Sequence, residues 1–206
     1  MTTKPLTSTL CVALAAGSLV TTSAHAALIL DSGTPDNSKS PLSLDGSDFV
    51  AAEFRLGDGA TLTTVQAYLN GGSGSTAGSD SFSIVLYAAD AAGGLPGTQI
   101  ASVQAIWNAD GWNGASGLNW SGLAAGDYWV AFEVGGNDST TGLEIPVIAS
   151  LGTVPAHAYA FSAGAGYQYL SGNDIGVQVS AVPLPPAWWL LSGALAGIAA
   201  VRRRRA

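Results

Sequence analysis

Asp127-Tyr128-Trp129-Val130-Ala131-Phe132-Glu133-Val134 is the stretch that decides the fold. Tyr128, Val130, Phe132 and Val134 alternate with Trp129, Ala131 and Glu133. A period of two puts the first set on one face of a β-strand and the second on the other. The same kind of run recurs on either side, between turn signals. Ser81 to Ala88 carries Phe82, Ile84 and Leu86 on one face and Ser83, Val85 and Tyr87 on the other. Phe49 to Leu56 and Thr61 to Leu69 read as two strands joined by Gly57-Asp58-Gly59. Thr98 to Trp107, Tyr159 to Ser162 and Ile175 to Ala181 complete the set. Asn70 to Asp80 reads as a Gly/Ser loop and Ala89 to Pro96 as a turn region. Trp107 to Trp120 mixes Trp with Gly and Asn and has a loop-like composition. No window between the two ends of the chain has a sustained 3.6-residue apolar period. Many short strands with Gly-rich turns predict an all-β sandwich or jelly roll.

The two ends differ from this middle. Lys4 precedes an apolar run of 11 residues, Leu10 to Val20. Ala24-His25-Ala26 then offers small residues where a signal peptidase reads them, so the expected cut lies between Ala26 and Ala27. Cys11 sits inside the apolar run after Leu10, which does not fit a lipidation site. At the other end, Ala181 to Val201 carries no charge, and Pro183, Pro185 and Pro186 disfavour helix at its start. A helix from Ala187 to Val201 would be about 22 Å long at ~1.5 Å per residue, short against a hydrocarbon core of about 30 Å. Trp188 and Trp189 suit one membrane interface, and Arg202, Arg203, Arg204 and Arg205 the cytoplasmic one. The expectation is a short transmembrane helix with the preceding domain outside. Three units follow: a signal helix over 1–26, a β-domain over 27–181 and a C-terminal segment over 182–206.

The middle unit holds all 14 Asp and Glu of the chain but only Lys39 and Arg55 as cations, a formal charge of −12. Nucleic acid is excluded as a partner, because no basic surface exists to neutralise phosphate. No cysteine lies in this unit, so packing must hold it together without disulfides.

Val182-Pro183-Leu184-Pro185, then an apolar helix, then an arginine cluster at the very end resembles a PEP-CTERM sorting signal of the V-P-L-P-A variant. Here Pro186 stands before Ala187, a small departure from that pattern. The resemblance covers about the last 25 residues. It implies a temporary membrane anchor recognised by exosortase, a membrane-embedded processing enzyme of Gram-negative bacteria. It also implies association with exopolysaccharide and biofilm matrix. A plain single-span anchor is the simpler alternative.

Within the middle unit, Leu86 to Ser102 (LYAADAAGGLPGTQIAS), Leu123 to Val134 (LAAGDYWVAFEV) and Tyr159 to Ala163 (YAFSA) resemble the choice-of-anchor group of exported bacterial β-sandwich domains. That resemblance spans Phe49 to Ala181 and implies a jelly-roll-like module, which the two ends as read above would flank with a signal helix and a transmembrane helix. It implies no catalytic residues.

Catalytic groups are scarce. His157 is the one histidine of the middle unit, and no G-x-S-x-G elbow, H-E-x-x-H or paired-Cys spacing occurs. Glu53, Glu133 and Glu144 are its only glutamates, and nothing in their spacing pairs them for glycoside hydrolysis. A polysaccharide hydrolase is therefore the third reading. Calcium is the cofactor that composition leaves open, since Asp31, Asp36, Asp45, Asp48, Asp58, Asp138 and Asp174 are loop acids. The simpler account is that they form turns. The second reading is a carbohydrate-binding module retained by exopolysaccharide. Trp107, Trp112 and Trp120 would supply aromatic faces for sugar rings, with Asn108, Asn113 and Asn119 as polar contacts. Against it stands ordinary core packing of these tryptophans, as expected for Trp129.

Overall fold

The computed structural model describes residues 25–184, except 37–38, 47, 92–93, 141, 149–156, 161–165 and 170–173. The expected signal and transmembrane helices, with Ala24, Pro185, Trp188, Trp189 and Arg202 to Arg205, lie outside the described residues. The described chain is all β. Its strands are β1 (Ala27–Asp31), β2 (Lys39–Leu44), β3 (Phe49–Leu56), β4 (Ala60–Gly71), β5 (Ser81–Ala89), β6 (Pro96–Ile106) and β7 (Gly111–Leu123). β8 (Gly126–Glu133), β9 (Leu143–Ile148), β10 (His157–Ala160), β11 (Gln168–Tyr169), β12 (Asp174–Ile175) and β13 (Val177–Pro183) follow.

These form two antiparallel sheets. One has six strands in the order β11-β10-β3-β8-β5-β6. The other has seven: β1, β13, β4, β9 and β12 along its main path, with β7 paired to β4 and β2 to β9. One apolar core joins them. Phe54, Ile84, Leu86, Val130 and Phe132 enter it from the six-stranded sheet, and Leu62, Val65, Leu69, Ile145 and Val179 from the other. The alternation seen in β5 and β8 is the cause. Phe82, Ile84 and Leu86, and Tyr128, Val130 and Phe132, all point into this core. Phe54 stacks on Tyr128 at 5.8 Å, and Phe82 meets Phe132 at 6.3 Å, separations typical of favourable ring pairs. The result is a sandwich-like pair of packed sheets.

Two segments differ from the reading of the sequence. Trp107 to Trp120 is not a loop: most of it belongs to β7, the longest strand, paired to β4. Of the glycines that suggest a loop, Gly111 and Gly114 stay in register opposite Leu69 and Gln66, and Gly117 is a bulge position. The register between β4 and β7 shifts between Ala60 and Leu62 and again between Leu62 and Thr64. Gly122 (φ 76°) and Gly117 (φ 71°) lie in those two irregularities. Left-handed backbone of this kind is open to glycine at little cost, and a bulge bends a strand without ending it. The last strand also runs beyond residue 181. Val182 pairs with Thr61 and Pro183 with Ala60, and the Leu184 amide donates to the Gly59 carbonyl at 2.8 Å.

The outer face of the six-stranded sheet has its own small cluster: Ala51, Val85, Trp129 and Ala131, with Tyr87, Ala89, Leu95 and Tyr167 packed on it. Glu53 lies on this sheet opposite Trp129. Burial first, then the nearby Asp127 carboxylate, raise its pKa, with Arg55 opposing. A carboxyl raised in the folded state binds its proton more tightly there than in the unfolded chain. Its contribution therefore falls as pH climbs through the ordinary glutamate range to the raised value. Glu53→Gln should accordingly raise Tm at neutral pH and leave it nearly unchanged below the ordinary carboxyl range. Thermal melts at the two pH values check this; an equal shift at both would contradict it.

Candidate functional site

The three tryptophans singled out for sugar binding do not share a face. Trp107 is buried in the core, its ring against Gly71, and its indole N–H has no hydrogen-bond partner among the described residues. Trp120 packs onto the same core from β7. Trp112 stands on the other face of that strand, edge-on to Tyr68 at 5.5 Å. Asn113 is also used internally. Its amide donates to the carbonyls of Ala109 and Gly111, and its oxygen accepts the Asn108 amide, closing the turn before β7. Trp129 is fully buried, but on the outer face of the six-stranded sheet, where its indole N–H donates to the Gly94 carbonyl at 2.7 Å. His157 opens β10, opposite Ala52.

The structure instead brings polar side chains together on the outer face of β5, β6 and β8. Register sets the arrangement. Gln104 lies opposite Ser83, and Ser83 opposite Glu133, so the three form one row across the sheet. Ser102 and Val85 form the next row, beside the fully buried Ala131, and floor a groove. The loop after β8, Gly135 to Asp138, rises beside the first row. Together they line an open groove of about 510 Å3, within the range of about 300–1,000 Å3 usual for small-molecule clefts.

The loop is fixed by Asp138. One carboxylate oxygen accepts the Ser83 hydroxyl at 2.7 Å and the Gly135 amide at 3.2 Å, and the other accepts the Gln104 amide at 2.9 Å. Gln104 also donates to the Asn137 carbonyl; at the loop's far end the Ser81 amide donates to the Ser139 carbonyl and the Ser139 amide to the Ser81 hydroxyl. Glu133 is held from the other side. Its Oε1 accepts the hydroxyls of Tyr87 at 2.9 Å and Tyr167 at 2.5 Å. Burial, then the Glu133 charge and hydrogen bond, push both phenols well above the ordinary tyrosine value, so they stay protonated donors. Two carboxylates thus face one groove, but Asp138 has both oxygens committed to holding the loop. The arrangement supplies fixed hydrogen-bonding groups rather than a free acid–base pair.

Two of the loop acids close turns, and Asp174 lies in β12 rather than in a loop. Asp31 accepts the Gly33 amide and Asp45 the Asp48 amide. Among the described residues, no three His, Cys, Asp or Glu side chains gather into a metal-holding group. Among the same residues, no helix is long and apolar enough to cross a membrane.

At the domain's margins, Ala26 is exposed just before β1, and Ala27 is the first residue of that strand. Ala27 lies opposite Ala181 in β13. Of the tail motif, Val182 and Pro183 belong to the sheet and Leu184 is exposed just past it. No protein-family model matches the chain, and no curated protein is significantly similar to it.

Proposed function

We propose that this chain is an exported surface or extracellular-matrix protein of a Gram-negative bacterium, with a non-catalytic, jelly-roll-like β-sandwich. Signal peptidase removes residues 1–26. The C-terminal segment, through Val182 to Pro185, the apolar stretch with Trp188 and Trp189, and Arg202 to Arg205, holds the domain at the membrane until an exosortase-type enzyme processes it. The mature domain then resides among exopolysaccharide. One observation carries most weight: β1 and β13 are antiparallel neighbours, with Ala27 opposite Ala181. Residues 26 and 182 therefore lie at the same end of one sheet, an arrangement that suits export and later tethering at a single membrane. The scarcity of free catalytic groups in the groove supports a binding or structural role.

The test is removal of residues 185–206. This leaves β13 and the Leu184–Gly59 hydrogen bond intact, so the domain should fold and leave the membrane fraction. A deletion beginning at Val182 would damage the sheet as well and confuse location with folding. Unchanged membrane retention of the shorter chain would contradict the proposal.

A further inference from the structure

We propose that the groove over β5, β6 and β8 is a binding site for an uncharged glycan. The proposal rests on the groove and not on the tail. Its lining is mixed in hydrogen-bonding sense. The side-chain amides of Gln99, Gln104 and Asn137 and the hydroxyl of Ser102 both donate and accept, and Glu133 accepts. Sugar hydroxyls also donate and accept, so this lining suits them. Among the described residues Val85 is the one apolar side chain in the lining, which disfavours an apolar ligand. Glu133 and Asp138 contribute negative charge, no cation among the described residues lines the groove, and the surrounding domain is strongly acidic. Anionic polymers are therefore repelled. The groove is open along a sheet face rather than enclosed, which admits a segment of a longer chain. It is also largely preorganised, since Asp138 and the paired tyrosines already hold its walls in place.

Its position fits a tethered or released matrix domain. The exit of the chain lies beside the turn that joins β3 to β4, where Leu184 bonds Gly59. Gly126, opposite Leu56, marks that same end of β8. Glu133 is at the other end of β8, about 23 Å away at ~3.3 Å per residue. The groove therefore lies on the sheet face near the end remote from Leu184.

The experiment is calorimetric titration of the full chain in mild detergent with short neutral glucan, mannan and galactan oligosaccharides, and with an oligogalacturonate as the anionic control. At least one neutral series should bind and the anionic control should not. Ser102→Lys places a long side chain in the groove without removing any hydrogen bond seen here, and Asn137→Ala removes an amide from the wall. Each should weaken binding by roughly tenfold or more, with Tm unchanged, about 1.4 kcal/mol per tenfold. Trp112→Ala, on the other sheet, should bind as the parent does. No binding of any neutral series, preference for the anionic control, or full binding by both groove variants would overturn the proposal.

Discussion

Trp129→Ala should destabilise the domain by about 3–5 kcal/mol, the usual cost of truncating a fully buried large aromatic. For a domain of this size that is a fall in Tm of about 6–20 °C. The side chain is fully buried and packs with Ala51, Val85 and Ala131, with Tyr169 6.3 Å from its ring. Ala51 and Ala131 are too small to fill the space it would leave. The change also strands the Gly94 carbonyl that its indole N–H satisfies. Trp129→Phe keeps much of the packing and loses that bond with part of the ring volume, so it should cost markedly less. Urea unfolding of the two variants checks this. Equal, small effects would mean that the cluster on the outer face does not contribute as its burial indicates.

The second large effect concerns the last strand. A chain ending at Gly176 should show no cooperative unfolding transition, whereas one ending at Leu184 should unfold like the full domain. β13 lies between β1 and β4 and pairs with both, so its loss exposes two strand edges at once. Val177, Val179 and Ala181 leave the core with it. Ser32 also loses partners: its buried hydroxyl accepts the Val177 amide at 2.6 Å and its own amide donates to the Val177 carbonyl at 3.0 Å, leaving it only the Ile175 carbonyl. Summed, these losses are on the order of the whole stability of a typical domain, about 5–15 kcal/mol. Near-ultraviolet circular dichroism through a thermal scan separates the outcomes. A cooperative transition in the shorter chain would show that β13 is dispensable.

Strict alternation made parts of this fold legible. In β5 and β8 the side chains divide between core and outer face as the period of two requires, and the strand over Phe49–Leu56 falls where its turn residues place it. β7 was not legible, because glycines at bulges and glycines in loops are alike in composition. β1, β2 and β9 lack the long alternating runs that mark a strand; β9 carries Pro146, and β2 carries Pro41. The groove was harder still. Ser83, Gln104, Glu133 and Asp138 are ordinary polar residues, and only the pairing of β5 with β6 and β8 sets them side by side. Counting tryptophans pointed elsewhere, because composition does not say which face a side chain occupies. Trp107 and Trp120 turn to the core, and Trp112 lies on the sheet away from the groove.

The measurement that tests the central claim most directly is the intact mass of the mature protein recovered from its native host, fraction by fraction. Export followed by sorting requires a species that begins at Ala27 and ends at or just beyond Pro185, with or without an added group, outside the inner membrane. A species that keeps Arg202 to Arg205 and remains in the membrane would contradict it and make this a permanently anchored domain.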